Sequence, residues 1–403
     1  MHTSTGERVR RARRAAGMSQ ADLGAATGFS QAAISRLERG GGASHDVRTL
    51  RLVAAALAIP SSELGIAEPN EESDDVNRRK FLGLGAMAGF ATAGSAAVQP
   101  VAAASAPRVG DADVAAVEQA VADVRDLDQL VGGDKLVRLA TAQVDQVRRL
   151  LDSGSYTDPV GRRLTSALCE ASINAGWVNF DAGQLGEAER FYNDAGAAAA
   201  AARNDLLLAY AYANASRLAF EAENPRLAVQ FAQAGQRAAM RDGGPRLRAL
   251  LHAREAEGFG QMRDPAAVRD AVRRARRAFD SSRGVDPQWV DFVTEAELAG
   301  LCGRAYRLAG AHNASIKHLQ EAAAGMGDRP RNRACWELQL ASALIEHGDA
   351  GAGCVLATNT LTTIADLSST RVRRQLRGVV NSARQHVNIN EARHFVAQAT
   401  SSA

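Results

Sequence analysis

The segment from Ser19 to Arg39, SQADLGAATGFSQAAISRLER, decides the fold of the amino-terminal part of this chain. Ser19 can cap a first helix, and Leu23 begins a run of small and apolar residues at helical spacing. Gly28 supplies the backbone freedom that lets the chain stop and turn. Ser30 can then cap a second helix, so the spacing predicts a helix-turn-helix. The inward positions of that second helix are Ala33, Ile34 and Leu37.

The flanking residues extend this pattern to a small domain. They read ERVRRARRAAGMSQADLGAATGFSQAAISRLERG from Glu7 to Gly40, and TLRLVAAALAIPSSEL from Thr49 to Leu64. This stretch resembles the Cro and phage-repressor type (XRE) family of five-helix DNA-binding domains. The segments MSQADLG and ISRLERG carry most of the likeness, because both occur at the expected separation. The resemblance implies that the second helix of the motif enters the major groove of DNA.

The resemblance also implies which side chains meet DNA. In this family's pattern, the first residues of the second helix and one residue a turn later reach base edges; here they are Gln31, Ala32 and Arg36. Gln can pair bidentately with adenine and Arg with guanine, whereas Ala offers only a methyl group. Residues at the two helix starts and at the end of the second helix are candidates for contacts with the DNA backbone. These candidates are Gln20, Ser30 and Arg39.

Charge is unevenly distributed along the chain. Residues 1–60 hold nine arginines against four acidic residues, a net charge of +5, whereas the whole chain carries +3. A basic small domain attached to a near-neutral body is typical of a nucleic-acid module joined to a partner or sensor module. The predicted first helix is especially basic, and its arginines either contact phosphates or form a solvated face. They are Arg8, Arg10, Arg11, Arg13 and Arg14.

Residues 67–110 are predicted to link two domains. Residues 68–75, EPNEESDD, are polar and acidic and show no apolar period. Arg78 and Arg79, followed by Phe81, Leu82 and a run rich in Gly and Ala, resemble a twin-arginine export signal, although a signal should open a chain. Three interpretations stay open: a linker without an export role, a membrane tether through residues 81–98, and export. The apolar run is short for a bilayer span, which needs roughly 17 to 25 residues.

From residue 111 to residue 403 the sequence predicts helices and a repeat. Five units carry small and large residues at recurring positions, and they begin at Ser172, Tyr212, His252, Ala296 and Glu337. Their spacing of about 38 to 47 residues exceeds the roughly 34 residues of the tetratricopeptide consensus. The region therefore resembles a divergent tetratricopeptide array, an α-solenoid of helix pairs whose concave face commonly binds a peptide or a partner segment.

Catalytic and metal-binding patterns are missing from the sequence. The four cysteines are scattered without a C-x-x-C pair, so we expect reduced, buried thiols rather than a zinc or redox site. No phosphate-binding loop, nucleophile motif or zinc-protease motif occurs. We therefore expect a protein that is not an enzyme and that uses neither a metal ion nor a cofactor.

Together these patterns predict an all-α protein in three parts. Residues 7–66 form the helix-turn-helix domain, residues 67–110 the linker, and residues 111–403 the helical repeat domain. The combination resembles actinobacterial regulators that carry an XRE-type domain in front of tetratricopeptide-like helices. This resemblance implies control of transcription. We expect a cytoplasmic regulator that binds a double-stranded operator as a homodimer, because a symmetric operator needs two recognition helices about 34 Å apart. Its repeat domain would dimerise, sense a peptide, small molecule or protein partner, or do both; the alternative is a membrane-tethered helical-repeat scaffold or interaction protein.

Overall fold

The computed structural model describes residues 5–27, 31–39, 50, 53–54, 56–57, 59, 108–131, 133–281, 284–327, 329–365, 367 and 369–401. Within these ranges the protein is all α and contains no strand, which confirms the predicted fold class. The chain divides into two compact units, an amino-terminal unit, Met1–Pro100, and a carboxy-terminal unit, Val101–Ala403.

Three helices are described in the amino-terminal unit: α1 (Thr5–Ala15), α2 (Gln20–Thr27) and α3 (Gln31–Glu38). The start of α2 is capped reciprocally. The backbone N–H of Ser19 donates to Oδ2 of Asp22 at 2.8 Å, and the backbone N–H of Asp22 donates to Oγ of Ser19 at 3.1 Å. This arrangement satisfies amide groups that a helix start leaves without partners, and it confirms Ser19 as the cap.

A small apolar core joins these helices. Ile34 and Leu37 are buried as predicted, together with Val9 and Leu23 from the two preceding helices. Helices α1 and α3 approach so closely that a Cβ atom at Gly6 would lie 2.7 Å from the carbonyl oxygen of Leu37. Four further buried residues follow in the chain: Leu50, Val53, Ala54 and Leu57. The predicted turn residues Gly28 and Ser30, and the side chain of Ala33, lie outside the described part.

The carboxy-terminal unit is a stack of helices. Two helices come first: α4 (Asp111–Val131) and α5 (Val137–Ser153). Five helical hairpins follow: α6 (Asp158–Asp181) with α7 (Leu185–Ala202), α8 (Asp205–Glu221) with α9 (Pro225–Ala238), α10 (Pro245–Gln261) with α11 (Pro265–Phe279), α12 (Glu295–Leu308) with α13 (His312–Gly325), and α14 (Pro330–Glu346) with α15 (Ala350–Ala365). The closing helices are α16 (Thr370–Ala383) and α17 (Asn390–Ser401).

The loop inside each hairpin repeats one backbone feature. Each loop contains one residue with a left-handed φ between 56° and 102°, and these residues recur 38 to 47 positions apart. They are Gly183, Glu223, Arg263, Gly310 and Gly348. The residue after Glu223 and the residue after Arg263 cap the next helix, because the side chains of Asn224 and Asp264 accept backbone N–H groups. The hairpins are thus copies of one local design.

Small residues let the paired helices approach. A Cβ atom on Gly176 of α6 would lie 2.4 Å from the ring of Tyr192 on α7. In a later hairpin, a Cβ atom on Gly303 of α12 would lie 2.7 Å from the side chain of Leu319 on α13. Larger side chains at these crossings would collide with packed neighbours, so the small residues of the sequence repeat are set by helix packing.

Buried ion pairs join the beginning of the stack to its end. Asp128 of α4 accepts hydrogen bonds from Arg331 of α14 at 2.6 and 3.0 Å. Asp181, the last residue of α6, pairs with Arg371 of α16 at 2.8 Å and with Arg331 at 3.2 Å. These residues are at most 8% exposed. The inner surface of the stack is therefore closed by contacts between its first and last parts.

All four cysteines are free and buried, as the sequence predicted: Cys169, Cys302, Cys335 and Cys354. Burial raises the pKa of Cys169 and of Cys302 to about 12, so both stay protonated at neutral pH. No helix in the described ranges has the length and apolar character that a membrane span requires. The candidate tether, residues 81–98, lies outside those ranges.

Candidate nucleic-acid interface

The predicted base-reading residues all fall on α3. Gln31 is its first residue, and the side chain of Gln31 is exposed. Ala32 and Arg36 lie in the same helix, and their side chains are outside the described part. Because a helix rises 1.5 Å per residue, the three positions span its first two turns, the portion that a helix-turn-helix presents to base edges.

The predicted backbone-contact residues lie at helix ends. Gln20 is the first residue of α2, and its Nε2 donates to Oε2 of Glu38 at 2.8 Å. Arg39 follows α3, is exposed, and donates through Nε to the carbonyl oxygen of Ser35 at 3.1 Å. Ser30 lies outside the described residues. Gln20 therefore already has a structural role, since it links the start of α2 to the end of α3.

A buried ion pair fixes α3 against α1. Nε of Arg13 donates to Oε1 of Glu38 at 2.5 Å, and Nη2 donates to Oε2 at 3.1 Å. Nη1 of Arg13 donates to the carbonyl oxygen of Met18 at 2.7 Å, which also ties the segment between α1 and α2 to this pair. Burial favours a raised pKa for Glu38, but hydrogen bonds from Arg13 and Gln20 outweigh it and lower that pKa.

Arg13 does not belong to the basic face that the sequence suggested for α1. It is 8% exposed, and its guanidinium group is used inside the domain. Arg10, Arg11 and Arg14 are exposed and remain available for phosphate contacts. A sequence signal for the pair did exist: Arg13 lies four residues after buried Val9, on the inward face of the same helix.

The comparison with protein families agrees with this geometry. A family model described as helix-turn-helix, of the Cro/C1 type, matches residues 9–64. A comparison with curated proteins finds no match for the chain.

The amino-terminal unit thus carries an XRE-type helix-turn-helix domain, the DNA-binding class of domain that the fold and the family match both define. The family match supports the interpretation of this protein as a DNA-binding transcription regulator.

Proposed function

We propose that this protein is a sequence-specific transcription regulator that reads a double-stranded operator with α3. The observation that carries the proposal is the family match over residues 9–64. Within these residues, exposed Gln31 is the first residue of α3, and the Arg13–Glu38 pair holds α3 against α1. Gln31, Ala32 and Arg36 read base edges in this proposal. Gln20, Ser30 and Arg39 position the domain on the phosphate backbone.

The carboxy-terminal unit supplies dimerisation and effector sensing in this proposal. A symmetric operator presents two half-sites about 34 Å apart, and one small domain offers one recognition helix. A homodimer held by the larger helical unit meets that requirement. The recurring hairpin loops support a tetratricopeptide-like array, a class of fold whose inner surface binds ligands. The three-part division, with a linker over residues 67–110, and a cytoplasmic location belong to the same proposal.

The deciding experiment is operator selection with the purified full chain. The affinity for DNA selected from a random pool is compared with the affinity for a scrambled duplex at two stated salt concentrations. Contacts with phosphates bind any sequence and weaken as salt rises, so the comparison separates them from base reading. A regulator should bind the selected site about 10³-fold or more tightly than the scrambled site. Equal binding to both duplexes would refute sequence-specific regulation.

The dimer is tested separately by sedimentation of the free chain and of its complex with the selected operator. Two chains on a site with dyad symmetry are expected. One chain bound to a single half-site would contradict the dimer and leave sequence reading intact.

A further inference from the structure

A partly open cavity lies inside the carboxy-terminal unit. Its volume is about 200 Å³, and its lining comes from α4, from the first helix of every hairpin and from α16. The cavity is therefore the size of a small molecule and does not accommodate a folded partner.

Closure of the stack also argues against an extended peptide along the inner surface. The Asp128–Arg331 and Asp181–Arg371 pairs join helices from the two ends of the unit across that surface. Asp128, Arg331 and Arg371 themselves line the cavity. A peptide running from the first to the last hairpin would have to break these buried pairs, whereas a compact ligand would not.

Aromatic side chains gather around this cavity. The chain has three tryptophans in 403 residues, and all three, Trp177, Trp289 and Trp336, line it. Tyr210 stacks on Trp289 with ring centroids 4.4 Å apart, and Phe292 lies 6.5 Å from the ring of Tyr210. Aromatic faces around a small cavity favour a flat, largely apolar ligand.

The charged groups of the lining are not equally satisfied. Asp128 accepts hydrogen bonds from Trp177 and Arg331, and Glu297 accepts them from Trp336 at 3.1 Å and Asn332 at 3.3 Å. These two carboxylates therefore have donors within the protein.

The arginines of the lining differ in the donors that they can offer to a ligand. Arg254 and Arg331 are 5% and 4% exposed, and the Nε atom of each is buried without a hydrogen-bond partner in the ranges that the structure covers, so neither Nε atom is open to the cavity. Arg329 lines the same cavity, is half-buried, and donates to the carbonyl oxygen of Phe292 at 3.3 Å. An acceptor group on a ligand, above all a carboxylate, complements such guanidinium groups.

We propose that this cavity binds a small aromatic carboxylate. Its ring packs among the tryptophans, and its carboxylate receives hydrogen bonds from the guanidinium group of Arg329 at the accessible edge. The inference rests on the proposed function in one respect, namely that occupancy of this site is the signal that the regulator senses. It narrows the effector to one chemical class.

The test uses the full chain and its intrinsic tryptophan fluorescence, since every tryptophan reports on the cavity. The probes are benzoate, phenylacetate and 3-phenylpropionate, with 2-phenylethanol and 2-phenylethylamine as neutral and cationic counterparts of the last. At least one carboxylate should give a saturable change and bind about tenfold or more tightly than the alcohol or the amine, as one charge-assisted hydrogen bond would provide. No saturable binding by any carboxylate, or tighter binding of the amine, would overturn the proposal.

Two matched variants locate the carboxylate. Arg329→Gln should weaken 3-phenylpropionate about tenfold and leave 2-phenylethanol unchanged, because it removes one charged donor from the lining. Arg333→Gln lies four residues further on, in the first turn of α14 and outside the lining, and removes a guanidinium group that likewise donates to a carbonyl oxygen, that of Gly327. Arg333→Gln should leave every probe unchanged. Equal effects of the two substitutions would contradict the assigned site.

Operator affinity measured with and without the bound carboxylate separates this inference from the proposed function. Ligand binding without any change in operator affinity supports the cavity site and removes the sensing role from the proposed function. Operator binding without carboxylate binding supports the regulator and overturns the cavity site.

Discussion

Glu255 of α10 shows how a single residue keeps its charge inside the helical stack. Its side chain is 4% exposed, and burial alone would raise its pKa. The nearby His252, hydrogen bonds from Gln233 and Gln236, and the guanidinium group of Arg274 lower the pKa to about 2 instead. The two amides and Arg274 donate at 2.9 Å. A buried carboxylate is tolerated here because its lone pairs are met by several donors.

We expect Glu255→Gln to change how stability depends on pH. The folded pKa lies below the ordinary value of 4.5, so the ionised side chain stabilises the fold above about pH 4.5 and loses this contribution as pH falls towards 2. The free energy of unfolding of the variant should be about 2–3 kcal/mol lower than that of the parent at neutral pH, and the two values should become equal in acid. Urea unfolding over a pH series measures this. Glu189→Gln, at an exposed position of α7, is the control, and parallel curves for parent and Glu255→Gln would contradict the prediction.

The pair of Arg13 and Glu38 makes a second prediction at this scale. Arg13→Met leaves the Glu38 carboxylate buried without its charged partner, a change that typically costs about 3–5 kcal/mol. Hydrogen exchange of the amides in α1 to α3 should therefore speed up strongly. Arg14→Met removes an exposed arginine from the same helix and should leave exchange nearly unchanged. The double variant Arg13→Met with Glu38→Leu should recover much of the lost stability. If Arg13→Met does not speed exchange and the double variant recovers nothing, the pair is not what holds α3.

At the scale of one element, α3 must carry the specificity of the proposed regulator. We expect Arg36→Ala to weaken the selected operator by about 1–3 kcal/mol and to relax the preference at one base pair. Fluorescence anisotropy with the operator and with single-base variants measures both effects. Arg39→Ala is the comparison, because a backbone contact should weaken specific and random DNA alike. Equal losses on both kinds of DNA for Arg36→Ala would make Arg36 a phosphate contact instead.

The elements themselves followed from local patterns in the sequence. Helical spacing predicts that Ile34 and Leu37 lie in a core and that Ser19 caps α2, and both features are found. They are predictable because burial within a helix and capping depend on neighbours within one or two turns. The hairpin loops recur at the interval that the repeat predicted. Periodicity states which face of a helix is buried but not what it meets. The helical spacing from Val9 indicates that Arg13 faces inward, but it does not identify Glu38, 25 residues further along the chain, as the partner.

The cavity could not be predicted from the sequence, because its lining comes from residues that are far apart in the chain. Asp128 and Arg331 are separated by 203 positions, and no spacing rule pairs one acid with one arginine among many. The tryptophans come from α6, α14 and the segment before α12, and only the closed stack brings them to one site. The sequence predicted an inner surface that binds a ligand; its enclosure depends on contacts between the two ends of the array.

At the scale of the carboxy-terminal unit, Asp181 is the residue whose buried carboxylate contacts both α14 and α16. Its carboxylate accepts hydrogen bonds from the backbone of Gly133 at 3.2 Å and from Oγ of Ser369 at 3.0 Å. It also pairs with Arg331 at 3.2 Å and Arg371 at 2.8 Å. Burial favours a raised pKa for Asp181, but the two arginines outweigh it and lower that pKa. One ionised side chain thus connects the end of α6 to α14 and α16.

Asp181→Asn should therefore loosen the whole unit rather than one helix. It removes the carboxylate that pairs with the buried guanidinium group of Arg371 and leaves Arg331 with Asp128, and breaking such a buried pair typically costs about 3–5 kcal/mol. Because Arg331 and Arg371 also line the cavity, its tryptophans should become more accessible to acrylamide in the folded variant. Asp194→Asn removes a half-exposed carboxylate that Arg148 contacts at 2.6 Å, and should cost about 1 kcal/mol or less. Urea unfolding and acrylamide quenching of both variants decide the matter: similar losses for the two, with quenching unchanged in Asp181→Asn, would mean that the ends of the stack are held together by apolar packing and not by this carboxylate.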